Sequence, residues 1–280
     1  MNKIIILGGS GFIGKSLKKY LKKNKRKKYK VFSYSRKEKK NILKIKKLPD
    51  SDLIFYCIKC NKISDSLKYF NHFKKLLTYG SKKTKILFVS SGAVYGIRNK
   101  KKKFNENEVI NLKKLKGFKN KNLNYAKEKI FLEKKFKILS QNGYKVSIAR
   151  GFSFVGKNIL MYDYFISQLI NSINLGKKIV INNHKTYRSY MHEIDLCKWL
   201  IKIGNNSSIN CPIYNVGSDE KIDITKFAKE LCSKYNIRLI IKKPKNIKYD
   251  FYVPSTDLAK RNLKLKTTIN LKDAVKQLIN

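Results

Sequence analysis

Apolar residues cluster in short runs at positions 4–7, 31–34, 53–57, 86–90, 146–149, 179–181, 213–216 and 239–241. Runs of this length, rich in Ile, Val, Leu and Phe, predict strands buried on both faces. Between many of them the apolar positions recur every three to four residues, which predicts helices over 15–23, 64–79, 124–140, 193–203 and 224–235. Strand and helix in alternation predict an α/β fold, a doubly wound and mostly parallel sheet with helices on both faces. Past residue 150 the alternation loosens and the connections lengthen. The expected layout is therefore a nucleotide-binding sheet domain over 1–150 and a smaller C-terminal α/β lobe over 151–280, interleaved with the sheet and carrying the substrate. Four prolines and no linker-like run argue that the two are tightly joined.

The first run breaks into Gly8-Gly9-Ser10-Gly11-Phe12-Ile13-Gly14, and a helix follows. This strand–turn–helix predicts a Rossmann-type dinucleotide site. Gly8 permits the tight turn, Gly11 lets the backbone approach a pyrophosphate, and Gly14 lets helix and strand pack closely. The helix start then offers N–H groups and a partial positive charge to the anion. Ser10, Phe12 and Ile13 belong to the same expected cofactor contact, as does Cys57 at the end of the third apolar run.

Charge changes the picture less than its size suggests. The 280 residues carry 65 Lys+Arg against 18 Asp+Glu, a formal net of +47. The lysines are spread over nearly every segment, and their abundance with Asn and Ile is what an AT-rich coding bias produces on tolerant surfaces. No nucleic-acid partner is expected from so scattered a charge, whereas attraction for small polyanions is. The basic run 98–103 reads as a solvated loop, with anionic substrate capture as the other reading. No apolar stretch approaches the ~20 residues that cross a bilayer, and the run at 4–7 is too short for a secretory leader, so no membrane partner and a cytoplasmic location are expected. Cys57 and Cys60 form a lone C-x-x-C without a second pair, and His72, His184 and His192 lack metal spacing, so no metal is expected.

Two further segments carry candidate chemistry. The run at 86–90 leads into Ser91-Gly92-Ala93-Val94-Tyr95-Gly96, and Asn124-Tyr125-Ala126-Lys127-Glu128-Lys129 opens a predicted helix. Tyr125 and Lys129, four apart, share one helix face. In an open α/β sheet the strand's carboxyl end and an adjoining helix face the crevice where a dinucleotide lies, so Ser91, Tyr125 and Lys129 are expected to converge there. A phenol ionises near pH 10, and an adjacent ammonium favours its charged form, which suits proton exchange with an alcohol during hydride transfer. Ser91 would hydrogen-bond the reacting oxygen, and Lys129 would also hold the cofactor ribose.

At these residues the chain resembles the extended short-chain dehydrogenase/reductase family, also called the NAD-dependent epimerase/dehydratase family. Arg150-Gly151-Phe152-Ser153-Phe154-Val155-Gly156 is similar to its R-x-x-N-x-x-G segment, with Ser153 where Asn is usual. Arg188-Ser189-Tyr190-Met191-His192-Glu193-Ile194-Asp195 is similar to R-D-x-x-H-V-x-D, and Tyr214-Asn215-Val216-Gly217-Ser218 to Y-N-V-G-S. The resemblance runs nearly end to end. It implies a nucleotide-sugar substrate contacted by Ser91, Ser153 and Arg188, with Arg188 on the diphosphate, and a homodimer formed through two helices per subunit. For Asp195 a helix cap or internal ion pair is preferred over a site role.

Members preferring NAD place an acid after the second strand, where this chain has Ser33-Tyr34-Ser35-Arg36-Lys37. Ser35 and Arg36 suit a 2′-phosphate, so NADP is expected over NAD. Members that dehydrate carry Asp-Glu after the catalytic hydroxyl, and members that epimerise beside a ketone before reducing it carry a cysteine at the second of those positions. Gly92-Ala93 disfavours both. Reduction of a 4-keto nucleotide sugar and 4-epimerisation with retained NAD remain, reduction being preferred, and a noncatalytic dinucleotide sensor is the reading from another class.

Overall fold

Six of the predicted strands assemble side by side. The computed structural model describes residues 2–23, 29–35, 41–60, 62–96, 98, 100–115, 120–161, 164–182, 185–242 and 249–279. Within them β1 (Asn2–Leu7), β2 (Tyr29–Tyr34), β3 (Leu53–Tyr56), β4 (Lys85–Ser91), β5 (Lys145–Gly151) and β10 (Ile213–Val216) form one parallel sheet in the order β2-β1-β3-β4-β5-β10. Both faces are covered, which is why the strands read as continuous apolar runs. Ile4 and Ile6 of β1 face α1 (Phe12–Lys23) and α5 (Glu193–Asn205), while Ile5 and Leu7 face α2 (Ile63–Leu77) and α3 (Asn120–Gln141). The chain runs from β1 outward to β2 and then returns past β1 to β3, so the crevice at the carboxyl ends of β1 and β3 is the switch point of the sheet.

Helix α3 is the element that matters most for the site. Phe136 stacks on Phe88 of β4 at 4.5 Å and meets Tyr56 of β3 edge-on at 5.1 Å. Tyr125, Lys129, Leu132 and Phe136 recur at helical spacing, so the face that buries Phe136 also carries Lys129 and Tyr125 toward the strand ends.

The smaller lobe is built from short pieces. Its strands are β6 (Phe154–Val155) paired with β9 (Met191–His192), β7 (Ile179–Ile181) paired with β12 (Leu239–Ile241), and a three-stranded sheet β11-β8-β13 of Ile222–Asp223, Thr186–Arg188 and Asp250–Tyr252. Helices α4 (Phe165–Asn174), α6 (Ile224–Lys234) and α8 (Leu271–Lys276) close its core around Ile166, Leu169, Phe227 and Val275, and α7 (Asp257–Leu263) packs by β10. The boundary expected at residue 150 falls inside β5, and both α5 and β10 return to the sheet from the second half of the chain.

Asp195 is fully buried and ties the lobe together. Its carboxylate accepts the N–H groups of Thr268 and Ile269 at 2.6 and 3.0 Å and the Thr268 hydroxyl at 2.5 Å, with Lys198 Nζ at 3.4 Å. It is an internal anchor. The sequence pattern missed α4, whose apolar residues at 166, 169, 170 and 173 were legible, and the half-exposed β8 and β13, which carry no apolar run.

Candidate active site

The glycine turn follows β1. Gly8 has φ +95°, and a Cβ there would lie 2.7 Å from the carbonyl carbon and oxygen of Cys57. Its N–H and that of Gly9 donate to the Tyr34 carbonyl at 2.8 and 3.1 Å, stitching the turn to β2. A Cβ on Gly14 would lie 2.4 Å from Gly8 O and 2.7 Å from Gly9 Cα, so α1 meets the turn backbone to backbone. Gly11 differs, being exposed and meeting only Gly8 O, at an ordinary 3.5 Å. Nothing in the chain requires glycine there, and its open side faces the space before α1, where helix N–H groups lack intrahelical acceptors.

Ser10, Phe12 and Ile13 are half-buried around this cradle, Phe12 packing on Phe154 at 5.9 Å. Lys18 Nζ lies 3.6 Å from the point a Cβ on Gly9 would occupy, a cation at the turn that the sequence pattern did not single out. Ser35 is buried just after β2, and Arg36 lies outside the described residues. Gly14→Ala is expected to lower the unfolding free energy by about 1–3 kcal/mol, because the methyl meets backbone that cannot rotate away. Urea denaturation measures this, and an unchanged midpoint would show that the close approach is no constraint.

Ser91 closes β4. It is buried, and its Oγ accepts the Ala93 N–H at 3.2 Å, capping the 3-10 turn Gly92–Tyr95. A Cβ on Gly92 would lie 2.7 Å from the Phe152 ring, so an aromatic side chain occupies the room beside it. Lys129 is almost fully enclosed: its Nζ donates to Ile58 O at 3.4 Å, stands 3.6 Å from Glu128 Oε2, and lies 5.7 Å from the Tyr125 ring centre. Glu128, also buried, accepts the Ser66 hydroxyl at 2.8 Å. Tyr125 is half-buried, with Lys59 Nζ 4.7 Å above its ring as a second ammonium. Burial pushes the Cys57 thiol up to about 12 against the pull of Lys129, so it stays protonated.

The lobe reaches the site through β8 and β13. Tyr252 lies beside Arg188 across the strand pair, with the guanidinium carbon 5.8 Å from its ring centre. Its phenol interacts electrostatically with Arg188, Tyr125 and Tyr95. Burial pushes that phenol up, while the nearby Arg188 guanidinium pulls the other way. Arg188 is already engaged, donating to Asp250 Oδ1 at 3.0 Å and Oδ2 at 2.5 Å, so an anion arriving there meets a paired fork. Ser153 is half-buried between β5 and β6, its carbonyl accepting the Met191 N–H at 3.0 Å. Lys129 thus joins Tyr125 on α3 to the backbone just after β3, while Ser91 ends the neighbouring strand β4.

Beneath Ser91 runs a buried polar network. Arg150 donates to Glu133 through Nε at 2.9 Å and Nη2 at 2.7 Å, and through Nη1 to Tyr95 Oη at 2.9 Å. Ser90 donates to Glu133 at 2.6 Å, and Tyr95 to Asn215 Oδ1 at 2.8 Å. The network fastens α3 to β4, β5 and β10 and so sets where α3 carries Tyr125. His192 caps α5 by accepting the Ile194 N–H at 3.3 Å, and burial lowers its pKa. Among the described residues no three His, Cys, Asp or Glu side chains are grouped to hold a metal ion, and no helix is long and apolar enough to cross a membrane.

Tyr252, Lys18 and Lys59 escaped the sequence reading: Tyr252 belongs to a segment without a motif, and the two lysines lie in or beside motifs that were read for other residues. Glu128 lay within the Tyr125–Lys129 segment, and its unusual acid beside the lysine was a usable signal.

A model of the NAD dependent epimerase/dehydratase family matches residues 70–217, a span holding Ser91, Tyr125, Lys129, Ser153 and Arg188. No curated protein sequence matches this one. Among solved structures, RMD from Pseudomonas aeruginosa complexed with NADPH is similar with a TM-score of 0.79 at 17% identity, covering 100% of this chain and 98% of that one. The UDP-N-acetylglucosamine 4-epimerase from Bacillus cereus gives 0.78 at 17% identity, covering 99% and 98%. The dTDP-glucose 4,6-dehydratase from Bacillus anthracis in complex with NAD gives 0.76 at 14% identity, covering 99% and 95%. At these identities the likeness is one of fold.

Proposed function

The chain belongs to the NAD dependent epimerase/dehydratase family, and from that premise we propose that it is an NAD(P)-dependent oxidoreductase reducing a 4-keto group on a nucleotide-activated sugar. The observation that supports this reading is the Tyr125–Lys129 pair on α3, the helix packed against β4 that ends in Ser91, in the sheet whose first strand leads into a glycine turn with an open middle glycine. The residues fit a dinucleotide: the Gly8–Gly14 backbone and the start of α1 suit a pyrophosphate, and Cys57 and Lys129 suit the ribose side. When bound, the reduced coenzyme supplies hydride to the carbonyl carbon.

The protein's own groups do the rest. Tyr125 gives its proton to the carbonyl oxygen as charge develops there, and Ser91 donates a hydrogen bond to the same oxygen. Lys129, fixed by Ile58 and Glu128, meets the charge left on the phenol. Gly92-Ala93 offers no acidic pair for elimination, and the Phe152 ring fills the space beside Gly92, which supports simple reduction over 4,6-dehydration.

Ser35, Arg36 and Lys18, with no carboxylate after β2, favour NADP over NAD. A nucleotide-sugar substrate suits the strongly positive chain, with Ser153 and Arg188 as further contacts. A cytoplasmic homodimer completes the reading. We expect the purified protein to bind NADPH more tightly than NADH and to oxidise NADPH when a 4-keto nucleotide sugar is added. Tighter NADH binding defeats the phosphate preference. Interconversion of UDP-hexoses without coenzyme consumption makes the protein a 4-epimerase instead.

A further inference from the structure

Acid is scarce in this chain, with 18 Asp+Glu against 65 Lys+Arg, yet one carboxylate stands buried beside Lys129. Glu128 is 1% exposed and Lys129 3%, and Oε2 of the first lies 3.6 Å from Nζ of the second. Neighbouring helix positions point about 100° apart, so nothing in α3 itself makes the two heads meet. Ser66 of α2 holds the carboxylate in place, its hydroxyl donating to Glu128 Oε1 at 2.8 Å. Among the described residues Oε2 accepts no hydrogen bond, and the ammonium is what faces it. The Ile58 carbonyl at 3.4 Å fixes Lys129 from the end of β3, with the Phe88 and Tyr125 ring centres 5.2 and 5.7 Å away. Among the described residues no other carboxylate pairs with Lys129.

A buried ammonium without a counter-ion gives up its proton easily, because burial disfavours the charged form. The proposed reduction needs the opposite: Lys129 must be charged when the phenol of Tyr125 is left negative. Building on that reading, we infer that Glu128 is a positioning residue, the buried counter-ion that keeps Lys129 an ammonium and holds it in place through the cycle. An ammonium has three N–H groups. The Ile58 carbonyl takes one and Glu128 draws another, which leaves the third for Tyr125. Other titratable groups face the three: Tyr56 on β3, Cys57 and Lys59 just after it, and Tyr252 on β13, which interacts with Tyr125. Burial holds Tyr56 and Tyr252 above the ordinary phenol range and Cys57 at about 12, so these keep their protons at working pH. Lys59, above the Tyr125 ring, is common to all the variants compared below and cancels between them.

Glu128→Gln tests this, since the amide keeps an acceptor for Ser66 and loses only the charge. Two measurements are made on wild type, Glu128→Gln and Glu128→Asp. One is the pH profile of kcat for NADPH oxidation with a 4-keto nucleotide sugar. The other is nitrogen NMR of the lysine Nζ groups, with Lys129→Met identifying the Lys129 signal. An anion beside an ammonium raises the pH at which its proton leaves, so removing the anion moves that loss downward. In Glu128→Gln the alkaline limb of kcat and the NMR midpoint are both expected to fall by about 1 pH unit, the lower end of what a close opposite charge contributes. Glu128→Asp keeps the charge and is expected to retain most of the wild-type behaviour. A limb or a midpoint that stays at its wild-type value in Glu128→Gln overturns the assignment. So does a Glu128→Asp limb that moves as far as that of Glu128→Gln, which makes side-chain length rather than charge the cause. Failure of Glu128→Gln to fold makes Glu128 a structural tie and overturns it too. If wild type itself turns over no nucleotide sugar in either direction, the proposed function falls, and the NMR midpoint alone then decides whether Glu128 is the counter-ion.

Discussion

Tyr125→Phe is expected to lower turnover by about 10²–10⁴-fold, the range for removing a positioned general acid. The loss should be confined to the chemical step. Phenylalanine keeps the ring against which Lys59 and Lys129 pack, at 4.7 and 5.7 Å from its centre, so the ammonium groups retain their neighbour. NADPH affinity, read by fluorescence, and the urea midpoint are both expected to match wild type. Steady-state NADPH oxidation then isolates the missing proton. A Phe variant that turns over at more than a tenth of the wild-type rate assigns proton delivery to another group. A variant that keeps its biological activity with turnover abolished argues for a dinucleotide sensor.

The largest effect on stability is expected from Glu133→Ala. The carboxylate accepts two charge-assisted hydrogen bonds from Arg150 and a third from Ser90, all inside the protein. Removing it strands a buried guanidinium, which costs about 3–5 kcal/mol in comparable buried pairs. Tyr95 remains as a partner to Arg150 but carries no charge to offset it. Replacing both members together, Glu133→Leu with Arg150→Met, should restore much of the loss, because no charge is left uncompensated. Equilibrium unfolding in urea compares the three. If the double variant is as unstable as Glu133→Ala, hydrogen bonding across the strands rather than the orphaned charge is responsible. Activity adds a second readout, since the network seats the helix that carries Tyr125.

The legible parts of the fold were those written as apolar runs or as helical periodicity. The runs at 179–181, 213–216 and 239–241 coincide with β7, β10 and β12, and the helices expected at 193–203 and 224–235 match α5 and α6 to within two residues. In each case the local pattern states what the segment must hide from water. Strands β8 and β13 were not legible, because three half-exposed residues such as Thr186–Arg188 present no alternation to read. Their existence depends on pairing with one another, a matter of register between distant segments.

The candidate site divides along the same line. The glycine turn and the Tyr125–Lys129 spacing were written into the order of residues, since both depend on geometry within one turn of backbone or helix. Fold class, the two-faced sheet and the shared face of α3 follow from that order alone. Only tertiary structure decided that Tyr252 packs on Phe152, that Asp250 occupies the Arg188 fork, and that Glu133 and Arg150 neutralise each other beneath the site. These partners come from separate elements. Which polar groups meet is settled when the apolar faces dock, because docking removes water and obliges each buried donor and acceptor to find whatever the packing has placed within reach.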